Sequence, residues 1–266
     1  MLNRDAFSRD LTGKIAVVTG GSQGLGEAIA REFAARGIAG LLLTGRNRVR
    51  GEAVAASLRG AGCDVRFHEA DLADLDAVKA IVPAAEAAFG RIDILVNAAG
   101  DTDRGTILDT TPELYERIMA VNLRAPFFLI QDAAEAMARL GIEGAIVNIQ
   151  SMSAHGGQPF LSAYSVSKAA LAALTRNAAF GLLDQRIRVN GLNIGWMATP
   201  GEDAIMRLRH DARDGWLDEA ARKQPFGRLI DPREVAKAVA YLASGESGLM
   251  TGSNIDFDQT ILGAHD

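Results

Sequence analysis

The sequence predicts an α/β protein of one domain, a doubly wound seven-stranded parallel sheet with helices on both faces, and three observations predict it. Short β-rich runs alternate with longer stretches of helical period along the 266 residues. Several of these runs are almost wholly apolar, as burial on both faces by crossover helices demands. No Pro/Gly/Ser linker, low-complexity tract or charge block divides the chain, whose length is long for one domain and short for two.

Taken in order, the first strand, Lys14 to Val18, runs into Thr19, Gly20, Gly21, Ser22, Gln23, Gly24, Leu25 and Gly26. A helix then opens on Leu25, Ile29 and Phe33. Strand, tight turn and helix N-terminus together aim backbone N–H groups and the positive helix end at a pyrophosphate. Gly20 permits the turn, Gly24 lets backbone approach phosphates, and Gly26 allows close helix-to-strand packing. The second strand, Gly40 to Thr44, ends in Gly45, Arg46 and Asn47, and the third, Asp64 to Glu69, ends in Ala70, Asp71 and Leu72. The fourth, Arg91 to Asn97, leads through Ala98, Ala99 and Gly100 to a helix marked by Leu114, Ile118 and Val121. The fifth, Gly144 to Gln150, stops at Ser151. The helix-prone stretch Ala163 to Phe180 puts Tyr164 and Lys168, four apart, on one face. After the sixth strand, Arg186 to Asn190, the polar segment Thr199 to Gln224 stands outside the alternation. In a doubly wound sheet it lies where a lid over the ligand crevice would lie. Val235, Val239 and Leu242 mark the last helix, and Ser253 to Phe257 the seventh strand.

Composition narrows the partners. The net charge of −5, with 23% charged and 48% apolar residues, leaves no electrostatic footprint for nucleic acid or an anionic membrane. No stretch approaches the roughly 18 apolar residues of a spanning helix, and residues 1–10 carry no apolar leader core. The single cysteine, Cys63, excludes an internal disulfide and fits a reducing compartment. These features lead to the expectation of a soluble, cytoplasmic protein with a small-molecule partner. His68, His155, His210 and His265 are scattered, so no metal site is expected.

The TGxxxGxG turn and the YxxxK pair resemble those of short-chain dehydrogenases/reductases, and the resemblance extends over essentially the whole length. It implies a single NAD(P)-binding Rossmann domain over residues 1–266, with the lid at about 199–224. It further implies that Ser151, Tyr164, Lys168 and Asn122 are catalytic. Asn97, Ala98, Ala99 and Gly100 resemble the family's NNAG segment, with Ala98 in place of the second asparagine. Asp71 matches the adenine-binding acid with Leu72 beside it, and Thr199 the threonine that holds the nicotinamide carboxamide. Gly195 and Met197 fall in the same cofactor-binding segment, as do Ser22, Gln23 and Leu25 of the turn. Ile194 replaces the usual proline before Gly195, and Asp258, Gln259 and Thr260 replace a usual Asp-Gly-Gly turn. In relatives that region and the two long helices build a tetramer, so a homo-oligomer is expected.

Cofactor choice follows from the end of the second strand, where an acid binds the 2′-hydroxyl of NAD and an arginine accommodates the 2′-phosphate of NADP. Gly45 takes the acid's place and Arg46 can fork onto a phosphate, so NADP(H) is favoured. NAD(H) stays possible, because Gln23 stands where many NADP-preferring relatives carry a basic residue. A free tyrosine, with pKa about 10, is a poor base at neutral pH, and the charge of Lys168, joined by that of an oxidised nicotinamide, is expected to draw Tyr164 down. Ser151 would donate to the substrate oxygen, with Ser153 as its competitor; Asn122 would hold a water that extends a proton relay from Lys168. The activity implied is interconversion of a secondary alcohol and a ketone. Asp101, Asp103, Arg104, His155 and Gln158 tilt the substrate toward a sugar, polyol or hydroxy acid. The alternatives are a 3-oxoacyl thioester reductase, which Phe160, Trp196 and Met152 leave open, and a non-catalytic NADPH-binding regulator.

Overall fold

A computed structural model describes residues 10–59 and 62–263. His265 and most of the amino-terminal stretch read above lie outside those residues. The seven strands are β1 Ile15–Thr19, β2 Gly40–Gly45, β3 Asp64–Glu69, β4 Ile94–Asn97, β5 Ala145–Ser151, β6 Arg188–Ile194 and β7 Asn254–Phe257. They form one parallel sheet in the order β3-β2-β1-β4-β5-β6-β7. The helices are α1 Gly24–Ala35, α2 Arg48–Arg59, α3 Leu75–Lys79, α4 Ile81–Phe89, α5 Pro112–Met119, α6 Ala125–Arg139, α7 Ser162–Gly181, α8 Pro200–His210, α9 Trp216–Arg222 and α10 Pro232–Ala243.

The period of two along the inner strands divides the core between the two faces. Ala16, Val18, Leu41 and Leu43 point to one side, where Ile29 and Phe33 of α1 and Val235 and Val239 of α10 cover them. Val17, Leu42 and Leu95 point to the other, against Ile81 and Val82 of α4 and Leu129, Ala133 and Met137 of α6. Strand order reverses between β1 and β4, and the crevice at their carboxyl ends is where such sheets take ligands.

Three differences from the sequence expectation have local causes. β4 starts at Ile94, not Arg91, because Asp93 accepts from the Ile15 backbone at 3.0 Å and from Arg91 at 2.6 Å, holding the approach to the strand beside β1. β6 continues past Asn190 to Ile194. Gly191 argues against strand by propensity, yet a side chain there would crowd the Gln150 side chain that donates to Asn254 Oδ1 at 2.8 Å, so glycine leaves room for that bond across β6. The helix between β4 and β5 is interrupted by a π-helical turn, Ala120–Arg124. Pro126 in the first turn of α6 cannot donate to a preceding carbonyl, and the wide turn absorbs that break. Among the described residues no helix is long and apolar enough to cross a membrane.

Candidate active site

The glycine turn is held open by backbone geometry that a side chain would spoil. Gly20 and Gly24 have φ of +70° and +58°, and a Cβ on Gly26 would lie 2.2 Å from the Gly20 carbonyl oxygen. Thr19 fastens the turn to the end of β4, its hydroxyl accepting from the Ala98 and Ala99 backbone N–H groups at 3.0 and 3.1 Å. Gln23, at the N-cap of α1, makes no side-chain cap and leaves the first N–H groups of the helix without one. The cleft beyond this turn has a volume of about 890 Å³, ample for a dinucleotide's reactive half and a small substrate. Gly20, Ser22, Gln23, Gly24, Leu25 and Gly26 line one end of it. These residues fit a pyrophosphate-bearing cofactor, since the cradle is one that any Cβ would fill.

Further along the cleft come Arg46, Asp71 and Leu72, then Ala98 and Gly100, and opposite them Gly195, Met197 and Thr199. The Arg46 guanidinium makes no hydrogen bond or ion pair among the described residues. Arg50, which the sequence reading missed, lies one turn into α2 and donates to Gln23 Oε1 at 2.5 Å. The spacing of four from Arg46 was the signal that would have found it. Asp71 accepts from the Ala73 backbone at 3.0 Å, which fixes the turn after β3. Thr199 caps α8, accepting from the Glu202 backbone N–H at 3.1 Å. Asp258 and Thr260 turn back from β7 into the cleft. A Cβ on Gly195 would overlap the Asp258 carboxylate, so glycine at 195 lets the segment after β7 pack against the end of β6.

Two expected lining residues lie behind the wall. Asn97 donates to Asn148 Oδ1 at 2.8 Å and braces β4 against β5, since its place on the pleat aims it within the sheet. Asn122, fully buried, exchanges two hydrogen bonds with the Asp101 backbone (2.8 and 2.9 Å) and donates to Ser167 Oγ at 3.1 Å. Both its side-chain N–H groups are spent, so this residue would meet a relay water only as an acceptor, and it also anchors the loop after Gly100.

Ser151, Tyr164 and Lys168 meet at the centre of the cleft. All three are buried and line it, Ser151 at the last position of β5 and the other two on α7. The Ser151 side chain acts on the Tyr164 phenol in favour of its charged form, and its Oγ accepts from the Ser153 backbone N–H at 3.1 Å. Ser153 instead bonds Gln158, which removes it as a competitor. Lys168 donates to the Ile149 carbonyl at 2.8 Å, with its ammonium 5.7 Å from the Tyr164 ring centre. Burial pushes the lysine down to about 8. The tyrosine runs opposite to expectation: burial pushes its phenol above the ordinary value, and the Ser151 side chain only opposes this. Glu202 adds to the rise and Arg104 counters it. At neutral pH this phenol is therefore protonated, the form that can give a proton.

The polar residues expected around the substrate divide. Asp103 is tied to Arg209 of α8 at 2.8 Å and to Arg117 of α5 at 2.7 Å, and Asp101 to Arg117 at 2.8 Å. His155 turns away to Asp256 at 3.2 Å and does not line the cleft. Asp101, despite its tie to Arg117, lines the cleft, as do Arg104 and Gln158, together with Phe160, Trp196, Met152, Glu202 and His210. Among the described residues no group of three or more His, Cys, Asp or Glu side chains could hold a metal ion.

Comparison with known proteins agrees with this arrangement. Residues 20–260 match a family described as Enoyl-(Acyl carrier protein) reductase. The NADP-dependent (R)-specific alcohol dehydrogenase of Lentilactobacillus kefiri is 33% identical over 93% of this chain and 96% of its own. The solved structure of a short-chain type dehydrogenase/reductase from Mycobacterium marinum superposes with a TM-score of 0.86 at 32% identity, covering 96% of this chain and 97% of that one. Another, whose title assigns it provisionally as a betaketoacyl-ACP reductase, gives 0.79 at 37% identity over 94% and 98% of the two chains.

Proposed function

The chain belongs to the short-chain dehydrogenase/reductase family, enzymes acting on CH–OH donors with NAD or NADP, and from that premise we propose that it interconverts a secondary alcohol and its ketone with NADP(H) as the preferred cofactor. The observation that carries the reading is the convergence of Ser151, Tyr164 and Lys168 in the cleft that the glycine turn opens. The glycine turn, Gly195 and Thr199 would hold the cofactor, with Asp71 at its adenine end, and when bound its reduced nicotinamide would supply hydride to the carbonyl carbon. Ser151 donates a hydrogen bond to the carbonyl oxygen, where charge develops. Tyr164, protonated at rest, gives its proton to that oxygen and acts as general base in reverse. Lys168 compensates the phenolate's charge while its ammonium is protonated. Asn122 positions the 100–101 loop, and the Thr199 to Gln224 segment acts as the lid.

NADP is favoured because two guanidiniums, Arg46 and Arg50, flank the place of the adenosine ribose, and Gly45 brings no carboxylate to oppose them. The L. kefiri relative's NADP dependence supports the same choice. Arg46→Ala is expected to weaken NADPH at least about ten-fold by fluorescence titration, on the usual strength of a charge-assisted hydrogen bond, and NADH hardly at all. Equal effects on both would refute the assignment. A 3-oxoacyl thioester reductase is the second reading, favoured by the similar solved structure provisionally described as a betaketoacyl-ACP reductase. Nicotinamide absorbance with sugars, polyols, simple ketones and a 3-oxoacyl thioester separates the two. A homo-oligomer is also proposed, on the exposed Phe127 of α6 and Val166 and Phe180 of α7.

A further inference from the structure

The substrate side of the cleft carries a charged pair that the reaction itself does not use. Arg104, in the loop after β4, and Glu202, in the first turn of α8, form an ion pair at 3.2 Å, their side chains 12% and 15% exposed. Their remaining hydrogen-bonding capacity can be counted. Of Arg104's five N–H groups, Nε donates to His210 Nε2 at 3.1 Å, Nη1 to the Thr102 carbonyl at 2.5 Å and Nη2 to Glu202. One N–H on each Nη is left. Glu202 Oε1 takes both Arg104 and the Trp196 indole N–H, the latter at 2.9 Å, while Oε2 has no partner among the described residues. Arginine cannot accept, so His210 Nε2 is the acceptor in this bond. Phe160 packs edge-on against His210 at 5.5 Å and lies 5.7 Å from the guanidinium. Arg104 and Glu202 both line the cleft that Ser151 and Tyr164 also line.

Such a pair selects by chemistry. Its net charge is zero, so a substrate carboxylate gains from Arg104 what it loses to Glu202. An apolar substrate that displaced water would leave two N–H groups and a carboxylate oxygen unpaired, which costs free energy. A hydroxyl, donor and acceptor at once, satisfies both partners. We propose that Arg104 and Glu202 form a hydroxyl-recognition site, selecting carbonyl substrates that carry a second oxygen function as an alcohol, with Glu202 Oε2 accepting from that hydroxyl and an Arg104 Nη donating to it. The proposal rests on the oxidoreductase reading above and names its substrate class.

The test uses matched ketones with and without the extra hydroxyl: cyclohexanone against 2-hydroxycyclohexanone, and butanone against 1-hydroxy-2-butanone and 4-hydroxy-2-butanone. The wild-type ratio of kcat/KM within the best pair is expected to favour the hydroxylated member at least about 30-fold, since a site with committed polar groups rejects an analogue that leaves them unpaired. Glu202→Gln, which keeps the size and an acceptor for Arg104 and Trp196 but puts an NH2 donor in the place of Oε2, is expected to lower that ratio about ten-fold, mainly through KM, as the charge-assisted hydrogen bond from the hydroxyl is lost. Any effect of the variant on the Tyr164 phenol is common to both members and cancels in the ratio. A wild-type ratio near one for every pair, or one unmoved by Glu202→Gln, overturns the proposal. Calorimetry on Tyr164→Phe saturated with NADPH reads affinity without turnover, and the same preference is expected there. If no carbonyl or alcohol is turned over with either nicotinamide, the oxidoreductase reading fails, while equal calorimetric affinities within every pair would refute the hydroxyl site by itself.

Discussion

Gly26→Ala probes the cofactor cradle at its tightest point. The added methyl would sit 2.2 Å from the Gly20 carbonyl oxygen and 2.6 Å from its carbon, more than an ångström inside ordinary contact. Both neighbours are backbone, in a turn with Gly20 at φ +70° and with Gly21 N–H bonded to the Thr44 carbonyl at 3.0 Å, so no side chain can swing aside. Either α1 moves away from β1 or the turn opens. Overpacking of this kind costs about 1–3 kcal/mol of stability. Gly181→Ala at the end of α7, where an added methyl meets nothing within 4 Å, is the control and should be neutral or stabilising by up to about 1 kcal/mol. Urea denaturation gives the first quantity, and NADPH fluorescence titration should show at least a ten-fold loss of affinity for Gly26→Ala alone. If Gly26→Ala matches wild type in both measurements, the cradle is not held as described.

Two further outcomes follow from burial and charge. Lys168 is depressed to about 8 from an ordinary 10.5, so between those values the unfolded chain binds more protons there and this residue's unfavourable share of stability is relieved as pH rises. Below about pH 8 Lys168→Met is therefore expected to be more stable than wild type, with the gap narrowing toward pH 10.5, and a gap independent of pH in denaturant melts would contradict this. Asp103→Asn weakens the ties from the 101–104 loop to Arg209 on α8 and to Arg117. Because the arginines are half exposed, each tie is weak and screened by salt, so KM should rise only about three-fold with kcat kept, and the wild-type KM should climb with salt toward the variant's. A salt-independent wild-type KM would sink the lid's electrostatic tie.

What the sequence made legible is what short-range physics decides. The glycine turn, the YxxxK spacing and the apolar runs of β1, β2 and β5 depend on residues near one another in the chain, and each lies where its pattern places it. Contacts distant in the chain were not readable. The end of β6 depends on Gln150 across the sheet; Arg50 needs Gln23, 27 residues away. The acidic residues at Asp101 and Asp103 look like substrate contacts until Arg117 and Arg209 are seen to occupy them. Glu202 drew no attention as one carboxylate in a polar segment. The Tyr164 phenol shows the same limit: spacing to Lys168 suggests a lowered value, whereas burial, a property of the whole fold, pushes it up.

The central claim is that a protonated Tyr164 transfers the proton in carbonyl reduction. Tyr164→Phe removes one hydroxyl and keeps the ring against α7, so NADPH affinity should stay within about two-fold while kcat for ketone reduction falls at least about 10³-fold, within the usual contribution of a positioned proton donor. Stopped-flow measurement of NADPH oxidation in a single turnover reads that step directly. A single-turnover rate in Tyr164→Phe equal to that of wild type would contradict the account.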